Sequence, residues 1–212
     1  MPSFNTSELS KKESYKLMTG AIVPRPIAWV STISEDGTHN LAPFSFFNGI
    51  AVMPPTVGFT VAYADDDRGY KDTYTNLIAN RECVVNVVTE ATANAMNTTA
   101  IGFEPHVDEF QQANLTPLAS EFIRPMRVQE SPIQFECRLN QVVTLKNDLG
   151  HSDLMLCDVL IIHIADAVYL GDHKIDQSAL QAIGRMGGSY YIHTGDIFEM
   201  TRYHKIDNTT DL

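Results

Sequence analysis

The 212-residue chain lacks a long hydrophobic run, a metal-binding histidine pattern and an excess of basic residues. No stretch of about 18 apolar residues occurs, and the first twenty residues contain no apolar segment typical of a signal peptide, so we expect neither a transmembrane helix nor a secretory signal. The net charge of −11 disfavours nucleic acids and anionic membranes as partners, because both attract basic surfaces. The composition therefore predicts a cytoplasmic globular protein.

Cysteine is also scarce, and its spacing excludes the common zinc and redox motifs. Cys83, Cys137 and Cys157 form no Cys-x-x-Cys pair, so we expect buried, reduced thiols. The seven histidines contain neither His-x-x-x-His nor HExxH, which predicts no metal site. His163 lies in an apolar stretch and is expected to be a hydrogen-bonded core or interface side chain.

The pattern of apolar residues predicts a mainly β protein with a few helices. β-Branched and aromatic residues indicate strands at 27–33, 39–52, 56–62, 83–88, 133–145 and 153–164, and a final hairpin of 190–193 with 197–201. Helices are expected at 7–18, 72–80, 90–99, 107–113 and 178–183. Most strands follow short turns and must pair antiparallel, so we expect one closed antiparallel sheet of about seven strands. Residues 1–212 are predicted to form a single domain, with 1–20 as an N-terminal extension.

One predicted strand carries polar side chains within an aromatic run. In PFSFFN, Ser45 and Asn48 interrupt Phe44, Phe46 and Phe47. Ordinary outward-facing positions on a strand would explain this pattern. A flat, partly apolar ligand that accepts and donates hydrogen bonds would explain it equally.

The segment RGYKDT, residues 68–73, places a cation and a hydroxyl where a helix is expected to begin. Free backbone N–H groups and the helix dipole favour an anion at such a position, so Lys71 and Thr73 are candidates for binding a phosphate. The alternative is a solvated helix start capped by Asp72 or Thr73.

The glycine-rich segment GRMGG, residues 184–188, matches neither the G-x-G-x-x-G spacing nor a Walker motif. Its glycines permit positive φ in a loop, or they allow backbone to approach a ligand beside Arg185. The chain contains no Gly-x-Ser-x-Gly motif, so the sequence does not indicate a serine hydrolase. An aromatic, amide-bearing strand, a helix start suited to phosphate and this loop together would fit a flavin mononucleotide (FMN).

Several short motifs in a fixed order resemble one family. They are PRPIAWVST, NLAPFSFFN, PPTVGFT, KDTYTNL, AMNTTA, VDEF, RMGGSYY and IFEMTR. From Arg25 to Arg202 the chain resembles the flavin reductase-like proteins of the FMN-binding split-barrel superfamily, and within it flavoredoxin and the reductase components of two-component monooxygenases. The segment 49–53 departs from the family pattern, so the pocket on the substrate side is left unpredicted.

The resemblance implies a six- or seven-stranded antiparallel Greek-key split barrel, a homodimer, and FMN in a groove at the dimer interface. Residues 44–48 would lie along the isoalloxazine ring, with Ser45 and Asn48 at its polar edges and the phenylalanines excluding water. Lys71 and Thr73 would hold the phosphate. Further contacts are implied for Thr32, Asn97, Arg185, Gly187 and Gly188.

The implied activity is hydride transfer from NADH or NADPH to FMN, with electrons passed on to an acceptor such as a monooxygenase. The cofactor supplies the reactive group, so we assign no catalytic side chain. Two alternatives stay open: an electron-transfer flavoprotein that is reduced by a partner protein, and a barrel that binds no flavin.

Overall fold

A computed structural model describes residues 1–63, 69–148 and 150–201. Part of the predicted polar loop 64–70, Leu149 in the predicted turn 147–150, and Arg202 lie outside these ranges. The helices are α1 (Lys11–Ala21), α2 (Asp72–Asn80), α3 (Ala93–Thr98), α4 (Glu109–Gln112) and α5 (Gln177–Leu180), with short 3-10 turns at Thr6–Glu8 and Asp166–Val168. In the described part of the chain, no helix is long and apolar enough to cross a membrane.

Thirteen strands are present in the described residues, and seven of them form one sheet. They are β1 (Ala28–Ile33), β2 (His39–Phe44), β3 (Phe47–Val52), β4 (Pro55–Ala62), β5 (Glu82–Val87), β6 (Pro117–Leu118), β7 (Arg127–Val128), β8 (Ile133–Asn147), β9 (Gly150–Ile164), β10 (Tyr169–Gly171), β11 (Lys174–Ile175), β12 (Ile183–Arg185) and β13 (Tyr191–His193).

The strand order of the large sheet is β2-β1-β5-β8-β9-β4-β3, and every neighbouring pair is antiparallel. Its two end strands, β2 and β3, are separated in the chain by only Ser45 and Phe46. The sheet must therefore curve until its ends meet. The amide of Thr60 on β4 donates to the carbonyl of Phe46 at 2.9 Å, which continues the pairing of β4 with β3 into this break. The mainly β fold with a closed antiparallel sheet of seven strands is confirmed.

The predicted continuous strand 39–52 is wrong in one respect. The chain bends at Ser45 and Phe46, so that β2 pairs with β1 while β3 pairs with β4. Propensity did not reveal the bend, because phenylalanine is a strong strand former on both sides of it. Closure of the barrel imposes the bend, and the break occurs in the segment singled out for its mixed polarity.

The predicted final hairpin is also corrected. β13 pairs with β12, where Gly184 lies opposite Ile192, and residues 197–201 form no strand. The glycine-rich segment therefore begins on a strand and continues into the turn of a hairpin. An added Cβ at Gly184 would lie 2.9 Å from the Pro24 side chain, so close packing requires glycine there.

Two apolar clusters lie on the two faces of β1, which explains its continuous run of buried residues. Ala28 and Val30 pack inside the barrel with residues of β4, β5, β8 and β9. Trp29 faces the other side, where it packs with Met96 of α3 and Phe110 of α4 and donates its indole N–H to the Thr99 hydroxyl at 2.9 Å. Helices α3 and α4 are thereby fixed beside β2.

The three cysteines are buried and unpaired, as the sequence predicts. Cys83 lies opposite Cys137 in the sheet. Hydrogen bonding between thiols together with burial raises the pKa of Cys83 and of Cys157 well above the ordinary value. Because the thiolate is the reactive species, we expect Ellman's reagent to label none of the three thiols in the native protein and all three in denaturant. Rapid labelling of the native protein would contradict this packing.

A buried carboxylate ties the segment after β6 to the sheet. Glu136 on β8 is inaccessible to solvent and accepts hydrogen bonds from the amides of Glu121 and Phe122 and from His163 Nε2, each at 2.8 Å. Burial alone would raise the pKa of Glu136, but these donors hold it below the ordinary value. His163 is thus the hydrogen-bonded side chain that was predicted.

Glu136→Gln is expected to lower the free energy of unfolding by about 2–3 kcal/mol at pH 7, because a buried amide then faces backbone donors. A lowered folded-state pKa contributes stability above the unfolded-state pKa, near 4.5, and this contribution is lost as pH falls through the folded-state value. The difference between the two proteins should therefore shrink below about pH 4.5 in urea titrations. The exposed Glu35→Gln, between β1 and β2, is the control; an equal cost there would contradict the assignment.

Candidate flavin site

A cavity of about 500 Å³ lies at one end of the barrel, between β2, the start of α2 and the segment that follows α3. Its volume is in the range of small-molecule sites. Lys71 and Thr73, the two predicted phosphate ligands, both line it. The wall is completed by Asn40, Ala42, Pro43, Tyr70, Asp72, Thr75, residues 99–105 and Glu109.

The start of α2 brings a positive charge to this cavity. Lys71 is the N-cap residue, with extended backbone (φ −70°, ψ 150°), and its own side chain makes no capping hydrogen bond. The Thr73 hydroxyl donates to Asn40, and Asp72 lies in the first turn of the helix. The Lys71 ammonium lies 5.6 Å from the centre of the Phe44 ring. A cation beside a helix N-terminus is an arrangement that favours an anion.

Thr73 and Thr32 are buried and hydrogen-bonded within the protein. Both are nearly inaccessible to solvent, and both hydroxyls donate to Asn40 Oδ1, at 2.9 and 3.1 Å respectively. Asn76 Nδ2 donates in turn to the Thr32 hydroxyl at 3.1 Å. Thr73 thus lies at the cavity wall with its hydrogen directed to Asn40, and Thr32 lies behind it.

Glu109, the first residue of α4, completes this network. Its carboxylate accepts from Asn40 Nδ2 at 3.0 Å and from the Leu41 amide at 3.1 Å. Burial, with a smaller contribution from the charge of Asp72, raises the pKa of Glu109 to about 7, against the lowering effect of the two hydrogen bonds. A buried carboxyl that titrates near neutrality beside a cavity marks a candidate functional group.

The five residues 44–48 do not share one environment. Phe44 belongs to the barrel core, with its ring 5.4 Å from that of Phe59. Phe47 packs partly against the same core. Phe46 and Asn48 are exposed. The segment therefore presents alternating buried and accessible side chains at the barrel break, next to the wall formed by Pro43.

The β12–β13 hairpin carries the other predicted residues, Arg185, Gly187 and Gly188. Arg185 Nη2 donates to the Gly188 carbonyl at 2.6 Å, and its guanidinium lies 4.4 Å from the centre of the Tyr191 ring. Gly188 has φ +61°, which glycine adopts without strain. A Cβ at Gly187 would lie 3.3 Å from Gly20 Cα, so the turn packs tightly on the end of α1.

Arg25 connects this hairpin to the barrel break, and sequence reasoning did not select it. Its side chain is buried, and Nη1 donates to the carbonyls of Thr19 and Ile22, both at 2.7 Å. Nη2 donates to the Met186 carbonyl at 3.0 Å, and Nε donates to the Ser45 hydroxyl at 3.4 Å. One guanidinium therefore holds α1, the glycine turn and Ser45 together.

Most of the predicted residues thus fall into two groups, one at the cavity and one around Arg25, whereas Phe44 and Phe47 pack in the barrel core and Asn48 is exposed. Asn97 on α3 is exposed and belongs to neither group, although Thr99, two residues later, lines the cavity. Asn40, Glu109 and Arg25 were missed, although each lies within a motif quoted above. Among the described residues, no group of three or more histidine, cysteine, aspartate or glutamate side chains is arranged to hold a metal ion.

These features define a split-barrel protein with a polar, lysine-bearing cavity at one end of its barrel. Residues 19–177 match the family model of the flavin reductase like domain, and the chain belongs to that family. A protein of Aquifex aeolicus (strain VF5) is 38% identical over 189 residues, which cover 89% of this chain and 94% of the relative.

Solved structures agree with this assignment. Nitrilotriacetate monooxygenase component B from Bacillus cereus superposes with a TM-score of 0.89 at 36% identity, over 94% of this chain and 98% of that one. A split-barrel domain structure from Shewanella frigidimarina NCIMB 400 superposes with a TM-score of 0.81 over 96% of this chain and 100% of that one. At 18% identity, the second likeness shows the fold alone.

Proposed function

We propose that the protein is an FMN-dependent oxidoreductase that takes a hydride from NADH or NADPH and passes electrons to an acceptor. The observation that carries this proposal is the cavity in which Lys71 and Thr73, at the N-terminus of α2, face Ala42 and Pro43, the strand residues just before the barrel break. A bound FMN supplies the hydride-accepting ring. Membership of the flavin reductase-like family supports the same reaction class.

The residues present fit the parts of FMN. Lys71 would pair with the phosphate, as would Thr73 if its hydroxyl turned to the cavity, because charge-assisted hydrogen bonds favour a phosphate dianion. Ser45, Phe46 and Asn48 would lie along the ring, with the phenylalanines excluding water on one side. Arg185, Gly187 and Gly188 would approach from the hairpin, while Thr32 would act from behind Asn40. We retain Asn97 as a peripheral contact.

A homodimer is part of this proposal. Strand β3 and the turn after it expose Ile50, Val52 and Met53, the last two at 87% of their full accessible area. Contiguous exposed apolar residues of this kind are typical of interaction surfaces. Sedimentation analysis is expected to give twice the chain mass of 23.6 kDa. A monomer at micromolar concentration would contradict the dimer but not the fold.

An electron-accepting partner protein is proposed as well. The similar Bacillus cereus protein is the B component of a monooxygenase, which supports electron transfer to a separate monooxygenase or another acceptor. A cytoplasmic location fits the three unpaired thiols.

The decisive experiment is an anaerobic absorbance spectrum of the protein with FMN, recorded before and after NADH and then NADPH. Bleaching of the flavin band by either nucleotide is expected and identifies the donor. A band that survives both nucleotides but is bleached by dithionite would instead support an electron carrier reduced by a partner. Absence of bound flavin would overturn the proposal.

A further inference from the structure

Glu109 is positioned to control the hydrogen-bond donors of the cavity. Its side chain lines the cavity while its two oxygens are used by Asn40 Nδ2 and by the Leu41 amide. The Leu41 amide can only donate, so the oxygen that faces it must always accept. Any proton that Glu109 binds is therefore directed to the oxygen that faces Asn40.

With Glu109 ionised, the orientation of the Asn40 carboxamide is fixed by chemistry. A carboxylate only accepts hydrogen bonds, so Asn40 must present its NH₂ group to Glu109. Its oxygen then faces the hydroxyls of Thr32 and Thr73, which donate to it. In this state the Thr73 hydroxyl donates its only hydrogen to Asn40, so it cannot donate a hydrogen bond to an anion in the cavity.

With Glu109 protonated, the same geometry favours the reverse arrangement. The acid O–H becomes a donor, and it is satisfied when the Asn40 carboxamide turns to present its oxygen. The NH₂ group of Asn40 then faces the hydroxyl oxygens of Thr73 and Thr32. Thr73 accepts a hydrogen bond and is free to donate its hydrogen to a ligand oxygen in the cavity.

The charged surroundings of Glu109 make this titration sensitive to a bound anion. Burial raises the pKa of Glu109 to about 7, and the negative charge of Asp72 at the start of α2 makes a smaller contribution in the same direction. The other charged or titratable groups on neighbouring elements include Lys71 and Tyr70 of the cavity wall, Glu104, His106 and Asp108 of the segment before α4, and His39 of β2. A phosphate placed beside Lys71 would favour the protonated carboxyl further.

We propose that Glu109 is a proton-linked positioning residue, whose protonation turns the Asn40 carboxamide and releases the Thr73 hydroxyl to a phosphomonoester in the cavity. This inference rests on the proposed function, since the phosphomonoester is that of FMN. It adds that FMN binding takes up a proton near neutral pH, and that affinity falls as Glu109 ionises.

The test compares FMN dissociation constants of the wild type and Glu109→Gln between pH 6 and 8.5. A glutamine amide can accept from Leu41 and donate to Asn40, so it mimics the protonated acid at every pH. We expect similar affinities near pH 6 and a wild-type affinity about tenfold weaker than the variant's at pH 8.5, which corresponds to a pKa raised by about one unit on binding. Ionisation of the FMN phosphate changes both dissociation constants by the same factor, so it cancels in their ratio.

Two further variants separate the proposed switch from a general effect of charge. Glu104→Gln removes an exposed carboxylate of the same cavity without touching Asn40, and its affinity is expected to keep a constant ratio to that of the wild type. Thr73→Val removes the hydroxyl and should abolish most of the pH-dependent ratio. A full pH dependence in Thr73→Val would overturn the proposal.

Calorimetry of the wild type in buffers of different ionisation enthalpy provides a test that needs no variant. Net proton uptake on FMN binding at pH 7.5 is expected, and it should vanish in Glu109→Gln. FMN binding without proton uptake would overturn the role of Glu109 and leave the flavin site intact. Failure of the wild type to bind FMN at any pH would instead overturn the proposed function.

Discussion

Replacing Lys71 with alanine is expected to weaken FMN binding by about 10- to 150-fold, or about 1.5–3 kcal/mol, the range for one charge-assisted hydrogen bond. Lys71 lines the cavity at the N-terminus of α2, where the helix dipole also favours a bound anion. The loss should therefore fall on ligands that carry a phosphate. Titration of flavin fluorescence with FMN and with riboflavin, which lacks the phosphate, measures it.

Riboflavin affinity is expected to change by less than about threefold in Lys71→Ala, because riboflavin has no phosphate to pair with the ammonium and the contact of Lys71 with the Phe44 ring is weak. Lys174→Ala is the matched control, since this lysine is highly exposed and its ion pair with Asp172 lies on the separate β10–β11 hairpin. An unchanged FMN affinity in Lys71→Ala would return Lys71 to the role of a solvated residue at a helix start.

The sequence predicts a strand well where the residue types on both faces of the strand match the burial of those faces. β1 is buried on both sides, and every residue of AWVSTI except Ser31 is apolar or β-branched. The long β8 and β9 are joined by a turn, which fixes their antiparallel pairing. Here propensity, periodicity and turn chemistry agree, which is the condition for a reliable prediction.

The errors occur where long-range contacts decide. The bend at Ser45 and Phe46 follows from barrel closure, and nothing in the local propensity of this aromatic run marks it. β13 pairs with β12 because Ile183–Arg185 is already held against Arg25 by the Arg25–Arg185 bridge. Residues 197–201 have the composition of a strand but no neighbouring strand edge in the described chain.

The candidate site shows the same division. Lys71 and Thr73 were selected from a local signal, the start of a helix, and the structure places both at the cavity. Asn40 and Glu109 are 69 residues apart, and their hydrogen bond has no signal in a single sequence. Arg25 likewise reaches Met186 across 161 residues. Short motifs thus indicated the right segments but not the side chains that join them.

Arg25→Ala is expected to lower the free energy of unfolding by about 3–5 kcal/mol, one of the larger single-residue costs, because three backbone carbonyls lose a charged donor. They belong to Thr19, Ile22 and Met186. The bond to Thr19 is buried and the other two are partly buried, so water replaces the lost donor only in part. Arg25→Lys should recover only part of this loss, since an ammonium cannot reproduce the planar fork of a guanidinium. Equilibrium urea unfolding measures both variants.

The matched control is Arg124→Ala, whose ion pair with Glu82 is exposed and is expected to contribute less than about 1 kcal/mol. Equal costs for Arg25→Ala and Arg124→Ala would show that the guanidinium does not hold the three segments together. The larger cost has a consequence for the flavin site. Without Arg25, the glycine turn and Ser45 lose their shared anchor, so FMN affinity should fall in Arg25→Ala even under conditions where the barrel stays folded.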